Sequence, residues 1–238
     1  MMGLPKLDTP TYRLELPSTG EEIQYRPFLV KEQKLLMIAQ ESEDEKEILD
    51  SVSKVIRACT FDKIDVSTSP LFDVEYVFLK IRSRAVGENA ELQVLCPDDE
   101  ETRVPVNVNL NDIEVQMGNN HTNQIDITGD IKLMMKYPCM TDMKGMKLGD
   151  SLTTVDTVFA ILKNCIHEIH NGDTIYRKVD LQNNDLEEFI DSFSTQQLES
   201  VMEFFNTMPK LRHTVEVTNP KTDVKSQVMI EGLESFLV

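Results

Sequence analysis

Residues 96–101 read Cys-Pro-Asp-Asp-Glu-Glu, one thiol and four carboxylates at the turn between two stretches with strand-like alternation. A zinc knuckle would place a second cysteine at this turn, because tetrahedral zinc takes four soft or borderline ligands, usually as close pairs on two hairpins. Cys96 has no such neighbour, and the next cysteine is Cys139. Asp98, Asp99, Glu100 and Glu101 are hard oxygen donors of the kind that suits Ca²⁺ or Mg²⁺. Four consecutive residues cannot converge from one turn, however, and they lack the spacing of an EF-hand loop. The stretch reads as a solvated acidic turn. A second hairpin outline, VEVTNPKTDVKSQV, has the same shape with no cysteine, so both are expected to be held by packing, and no metal is assigned.

The remaining chemical candidates are equally thin. His167-Glu168-Ile169-His170 sets two imidazoles three apart, not the His-Glu-x-x-His of a zinc protease. A helix is expected to run through Ile169, which would leave His170 at its C-terminal end, offsetting the dipole. His121 falls in a polar loop and His213 before a strand, neither beside an evident nucleophile. Neither Gly-x-Ser-x-Gly, a Walker loop nor Gly-x-Gly-x-x-Gly occurs, and Gly145–Asp150 only imitates a glycine-rich loop. No catalytic or cofactor-binding residue is therefore assigned, and the chain is read as a protein that is not an enzyme.

Two features suit contact with another protein instead. Met134, Met135, Met140, Met143 and Met146 form a methionine-rich stretch, and flexible thioethers make adaptable surfaces. The C-terminal GLESFLV would bring Leu233, Phe236 and Leu237 to one face of a short helix. Met140, Met143, Met146, Leu233, Phe236 and Leu237 are the candidate partner contacts.

The elements that must carry these residues follow from periodicity. A hairpin is expected within 12–28, with PSTGEE as its turn, then a helix from Val30 to Ala39. Ser42 with Glu45 resembles a capping box opening a second helix, on which Ile48, Val52, Val55, Ile56 and Cys59 recur. Residues 71–86 form a third helix, apolar nearly all round, which implies burial between layers. Its basic end suits the negative helix pole, and Gly87 stops it. Period two takes over in ELQVLC, TRVPVNVNL and IEVQM, and again around Thr128-Gly129-Asp130. Helical spacing returns from Val155 to Ile169, followed by an Asn171-Gly172-Asp173 turn and a strand-like TIYRKVDL. Two more helices, near 183–192 and 195–207, precede a last hairpin with Asn219–Asp223 at its tip. The fold class is α+β: helical N-terminal and C-terminal blocks around a central, mainly antiparallel sheet, with a hairpin near each end. Three segments are expected, 1–88, 89–138 and 139–238, or a single compact unit of the three together.

Composition bounds the function classes. The chain has 238 residues and a formal net charge of −17. Such a surface repels phosphate backbones, which disfavours gripping nucleic acid, and suits a basic protein partner. No apolar run is long enough to span a bilayer, and no small-molecule substrate is implied. The start, MMGLPKLDTPTYRLEL, does not read as a secretory signal, and Leu7 stands where a myristoylation signal needs Ser or Thr. A soluble intracellular protein with four reduced, widely spaced cysteines is expected.

PFLVKEQKLLMIAQES and LFDVEYVFLKIRSRAVGE, with FIDSFSTQQLESVMEFFNTMPKLRHTVEVTNP and the closing EGLESFLV, resemble the baseplate hub and hub-assembly proteins of T4-like contractile-tailed bacteriophages. The resemblance covers nearly the whole chain, with gaps in the middle sheet. It implies a structural or assembly role exercised by docking onto other tail or baseplate hub proteins, in the host cytoplasm during assembly or in the virion baseplate. Some phage tail proteins hold similar hairpins with cysteine pairs and a metal. Here the outlines at 92–106 and 213–230 lack those pairs, which again argues against a metal. Two rival readings are an acidic inhibitor that mimics nucleic acid toward a host protein, and an envelope hydrolase. The first needs carboxylates in a regular row, the second a cleft with two converging carboxylates.

Overall fold

The computed structural model describes residues 7–42, 44–142 and 155–232. Among them the chain forms six α-helices and four small antiparallel sheets, the α+β class read from the sequence. It divides into two compact units, one made of 1–115 with 211–238 and the other of 116–210. The last hairpin thus joins the first half of the chain.

The first unit is organised around α3 (Leu71–Val86), which follows a β1 (Tyr12–Glu15)/β2 (Glu22–Tyr25) hairpin and helices α1 (Val30–Ser42) and α2 (Glu45–Cys59). Phe72, Val74, Val77, Phe78, Leu79 and Ile81 are all buried on α3. With Asp73, Glu75 and Ser83 also buried, most of the helix surface is covered, as a helix between layers requires. Leu79 belongs to a core with Leu92, Val94, Val108, Val215 and Ile230. Those residues come from β3 (Asn89–Leu95), β4 (Arg103–Asn109), β10 (Lys210–Thr218) and β11 (Lys225–Glu231). The β3/β4 hairpin stacks Leu92 on Val106 and Val94 on Val104, and β10 sits between β11 and β5 (Glu114–Gln116). From the other side, Asp73 accepts hydrogen bonds from the Ser18 amide at 3.0 Å and from the Ser18 hydroxyl, tying the β1–β2 turn to α3.

Two helix starts differ in their chemistry. Glu32 reaches back to accept the Leu29 amide at 2.8 Å, half of a capping box for α1. Its other oxygen meets Arg26 at 2.9 Å, with side-chain exposures of 7% and 12% for Glu32 and Arg26. The cap of α2 is Asp44, which accepts from the Lys46 and Glu47 amides, rather than the expected Ser42. Ser42 ends α1 and gives its hydroxyl to the Ala39 carbonyl. The charged oxygen of Asp44, one turn-position closer to the free amides, wins the cap.

The second unit lays α4 (Val155–Cys165), α5 (Asn183–Asp191) and α6 (Thr195–Thr207) with a sheet ordered β6 (Gln124–Asp126), β7 (Ile131–Met135), β8 (Ile166–Asn171), β9 (Thr174–Arg177). Its core joins Leu133, Leu162, Cys165, Ile166, Val201 and Phe204. Gly118 lets the chain pass beside the end of α6, since a Cβ there would meet Thr207 at 3.0 Å. A correction concerns 166–171. The helical period breaks at Cys165, and Ile166–Asn171 is a strand paired on both sides. Its β-branched isoleucines sit better in a ladder, and the two-residue turn at Gly172-Asp173 closes a hairpin that a helix would forbid.

Burial pushes the Glu32 carboxyl up, but the Arg26 and Leu29 hydrogen bonds and the Arg26 charge outweigh it and hold it below its ordinary 4.5. Above pH 4.5 the carboxylate is charged whether folded or not, and its contribution is complete; below that pH the contribution drains away. Glu32→Gln leaves Arg26 half-buried without its counter-ion and costs about 3 kcal/mol at pH 7. Urea unfolding at pH 7 and at pH 3 checks this, with the difference between variant and wild type shrinking at the lower pH.

Candidate protein-docking site

The acidic turn holds hydrogen bonds where a knuckle would hold an ion. Asp99 accepts from the Thr102 hydroxyl, the Thr102 amide at 2.9 Å and the Glu101 amide at 3.1 Å, which keeps its carboxyl well below the usual range. Cys96 is buried, its amide bonded to the Thr102 carbonyl at 2.7 Å. Burial and then Asp98 and Asp99 raise its thiol pKa. Asp98 faces the tip of the other hairpin, where its carboxylate accepts Asn219 Nδ2 at 3.1 and 3.0 Å and the Thr222 hydroxyl. Asn219 is fully buried and also caps its own turn, its Oδ1 accepting the Lys221 amide at 2.9 Å. The twin turns are thus latched to each other by Asn219 and Thr222 on Asp98, and the Asn219 side chain also helps to lower Asp99. Among the described residues no group of three or more His, Cys, Asp or Glu could hold a metal ion.

The histidines serve structure. His170 lies in β8, not at a helix end; its Nε2 meets Glu168 at 2.9 Å, and Arg177 approaches the same carboxylate at 3.6 Å. His167 falls where the β7/β8 register shifts and is exposed. His121 is wedged against Tyr137 and Phe204, at ring distances of 5.6 and 5.2 Å. Thr207 gives its hydroxyl proton to the Glu203 carbonyl and so is placed to accept from His121 Nδ1 at 3.0 Å, while His121 Nε2 lies 3.1 Å from the Tyr137 hydroxyl. Burial lowers the imidazole pKa below 6.5 and so favours its neutral form. Cys59 and Cys165 are buried thiols pushed up to about 11 and about 12, too basic to serve as nucleophiles near neutral pH.

Of the candidate partner contacts, Met140 is described and half-buried. It stands beside a fastened root, where Asp142 accepts the Cys139 amide at 3.1 Å, the Cys139 thiol at 2.9 Å and Lys136 Nζ at 2.5 Å. Met135 is buried and fills core, whereas Met134, half-buried in β7, lies on the other face of the strand. Met143, Met146, Leu233, Phe236 and Leu237 lie outside the described residues.

A docking face that the sequence reading passed over lies on α1. Glu32 and Ala39 are its buried residues. On a 100° helical wheel Val30 and Met37 fall on the opposite side, with Ile38 flanking them. These three are 66%, 54% and 64% exposed. The signal was available: Leu35-Leu36-Met37-Ile38 is four apolar residues in a row, and no helix can turn four consecutive side chains to one side. Exposed Glu41 and Lys34 fall between Val30 and Ile38 on the same wheel, so this side of the helix offers apolar residues interleaved with charge.

Comparison with known families places this geometry. The family model described as T4 bacteriophage base plate protein matches residues 9–238. Nothing matches among curated proteins or among solved structures.

Asn219→Ala removes the shared member of the latch and leaves Asp98 without its amide partner. Hydrogen exchange should show faster opening at both turn 97–102 and turn 219–224, because Asn219 bonds to both; quickening at the second turn alone sinks the latch. His121 gives a separate expectation. Its stabilising contribution is whole above pH 6.5 and is lost as pH falls below that value toward its lowered folded pKa. Thermal unfolding at pH 7.5 and 5.5 should therefore show a smaller drop for His121→Gln, which does not titrate, than for wild type.

Proposed function

The chain belongs to the T4 bacteriophage base plate protein family, and from that membership we propose that it is a non-enzymatic component or assembly factor of the base plate hub, working by protein–protein docking while the contractile tail is built. The observation that carries this reading is the family match across nearly the whole chain. The α1 face supports it: Val30, Met37 and Ile38 expose apolar surface that water disfavours and a partner can cover. The net charge of −17 favours a partner surface of opposite sign and discourages premature aggregation. Met140, Met143, Met146, Leu233, Phe236 and Leu237 are proposed as further contacts to the same class of tail and hub proteins. The protein acts in the host cytoplasm during assembly or as part of the virion tail base plate.

Deleting the gene should leave tails without complete base plates, and the wild-type chain supplied in trans should restore them. The double variant Met37→Asp/Ile38→Asp should fold normally by circular dichroism and still fail to restore them. Desolvating an unpaired carboxylate costs at least about 1.4 kcal/mol, or tenfold in affinity. Complete base plates on tails made without the gene would refute the reading; mass spectrometry of purified particles separates a resident component from a factor that leaves.

A further inference from the structure

The four-stranded sheet of the second unit ends in an open edge. All four residues of β9, Thr174–Arg177, are exposed. Ile175 is 53% and Tyr176 43% exposed, with Val179 just beyond at 88%. Register places Ile125, Leu133, Ile169 and Tyr176 in one row across the sheet. The first three are buried and the fourth is not. The core-facing row therefore runs off the sheet at Tyr176, where one more strand would cover it.

The turn that delivers β9 decides which backbone groups face outward. Gly172 has φ +55° and Asp173 does not share that region, so the two-residue loop is a type II′ turn with glycine at its first position. Such a turn is closed by a hydrogen-bonded pair, here Asn171 and Thr174. Ladder alternation then points the N–H and C=O of Thr174 and Tyr176 to β8, and those of Ile175 and Arg177 to the open side. The strand itself carries no proline and no lysine, two of the devices that commonly blunt an edge.

We propose that β9 is a self-association edge, at which two copies of the chain pair antiparallel about Ile175. A two-fold antiparallel ladder must set one residue against its own copy. Centring on Ile175 joins its outward amide and carbonyl to the same groups of the second copy. Thr174 then lies opposite Tyr176 of the second copy, a β-branched residue against an aromatic one, and Asp173 opposite Arg177 of the second copy, a pair of opposite charges. Centring on Arg177 would oppose two guanidinium groups. The edge is thus complementary to itself in both sign and apolarity, which favours a second copy over an unrelated strand. The net charge of −17 opposes the encounter, so screening by salt strengthens this dimer, whereas salt would weaken pairing with a basic protein. The inference is independent of the docking role proposed above.

Sedimentation velocity on the full chain tests it, in 0.05 and 0.5 M NaCl. A ladder this short makes a small interface of the weak class, so a dimer is expected at about 200 µM that dissociates near 2 µM. It should be tighter at high salt. Ile175→Pro deletes an outward amide without removing a bond to β8, and should give a monomer with unchanged circular dichroism. Arg177→Glu should weaken the dimer about tenfold or more through repulsion from Asp173, and Asp173→Lys/Arg177→Glu should restore it. Arg177 also meets Glu168 within its own chain, so only recovery in the double variant distinguishes the edge from a fold effect. A monomer at both salts, a dimer indifferent to Ile175→Pro, or no recovery in the double variant would each overturn the proposal.

Discussion

One mostly buried helix sets the terms for the first unit. Nine of the sixteen residues of α3 are buried, so the chain must bring cover to most of its surface. The β1–β2 hairpin approaches through Ser18 on Asp73, and Tyr12 lies under Arg84 at 5.0 Å. The loop after β4 approaches through Asn111, which accepts the Ser83 hydroxyl at 3.1 Å and Lys80 Nζ at 3.3 Å. The β-rich core meets it at Leu79. Such wrapping requires segments far apart in sequence, which is why residues 211–238 join residues 1–115 in one unit. Closing long loops carries an entropic cost that grows slowly with length, so the cover of α3 can come from the last quarter of the chain.

Carboxylates fix turns and helix starts in both units. Asp73, Glu32, Asp98 and Asp142 each accept two or more hydrogen bonds from a turn or a helix start. A carboxylate suits this work because it offers several lone-pair sites from one short side chain and binds donors more strongly than a neutral oxygen. The four sites titrate differently. Burial raises Asp73 despite its bonds from Ser18, whereas the Thr222 hydroxyl lowers Asp98 and the Lys136 and Cys139 bonds overcome burial at Asp142. Acid therefore loosens the twin-turn latch and the Cys139 root, where the folded form favours the ionised acid.

Much of this was legible in the residues. Alternation marked the hairpins, helical spacing marked α5 and α6, and the apolar run of residues 71–86 announced a helix buried between layers. The resemblance to T4-like baseplate proteins agrees with the family match. What misled was short-range pattern where long-range pairing ruled. Ile166 and Ile169 continue the spacing of α4, yet their partners on β7, about thirty residues upstream, pull them into a strand. Asp98 and Asn219 are 121 residues apart, and nothing in either turn alone points to the other. The exposed apolar residues of α1 were readable, because Leu35-Leu36-Met37-Ile38 cannot all turn inward.

Charge and apolar surface act at different ranges on this molecule, and that division bears on how it docks. The field of a strongly acidic surface reaches only about 8–10 Å at physiological salt, yet that is farther than any apolar contact. An approaching protein is therefore sorted by sign before Val30, Met37 or Ile38 can touch it. Apolar burial acts only on contact and is indifferent to charge, so it supplies affinity without choosing between partners. A second acidic copy is slowed at the first step, and a basic surface is drawn in. Exposed apolar residues on α1 are thus compatible with selective association, because sign acts on an approaching protein before these side chains can meet it.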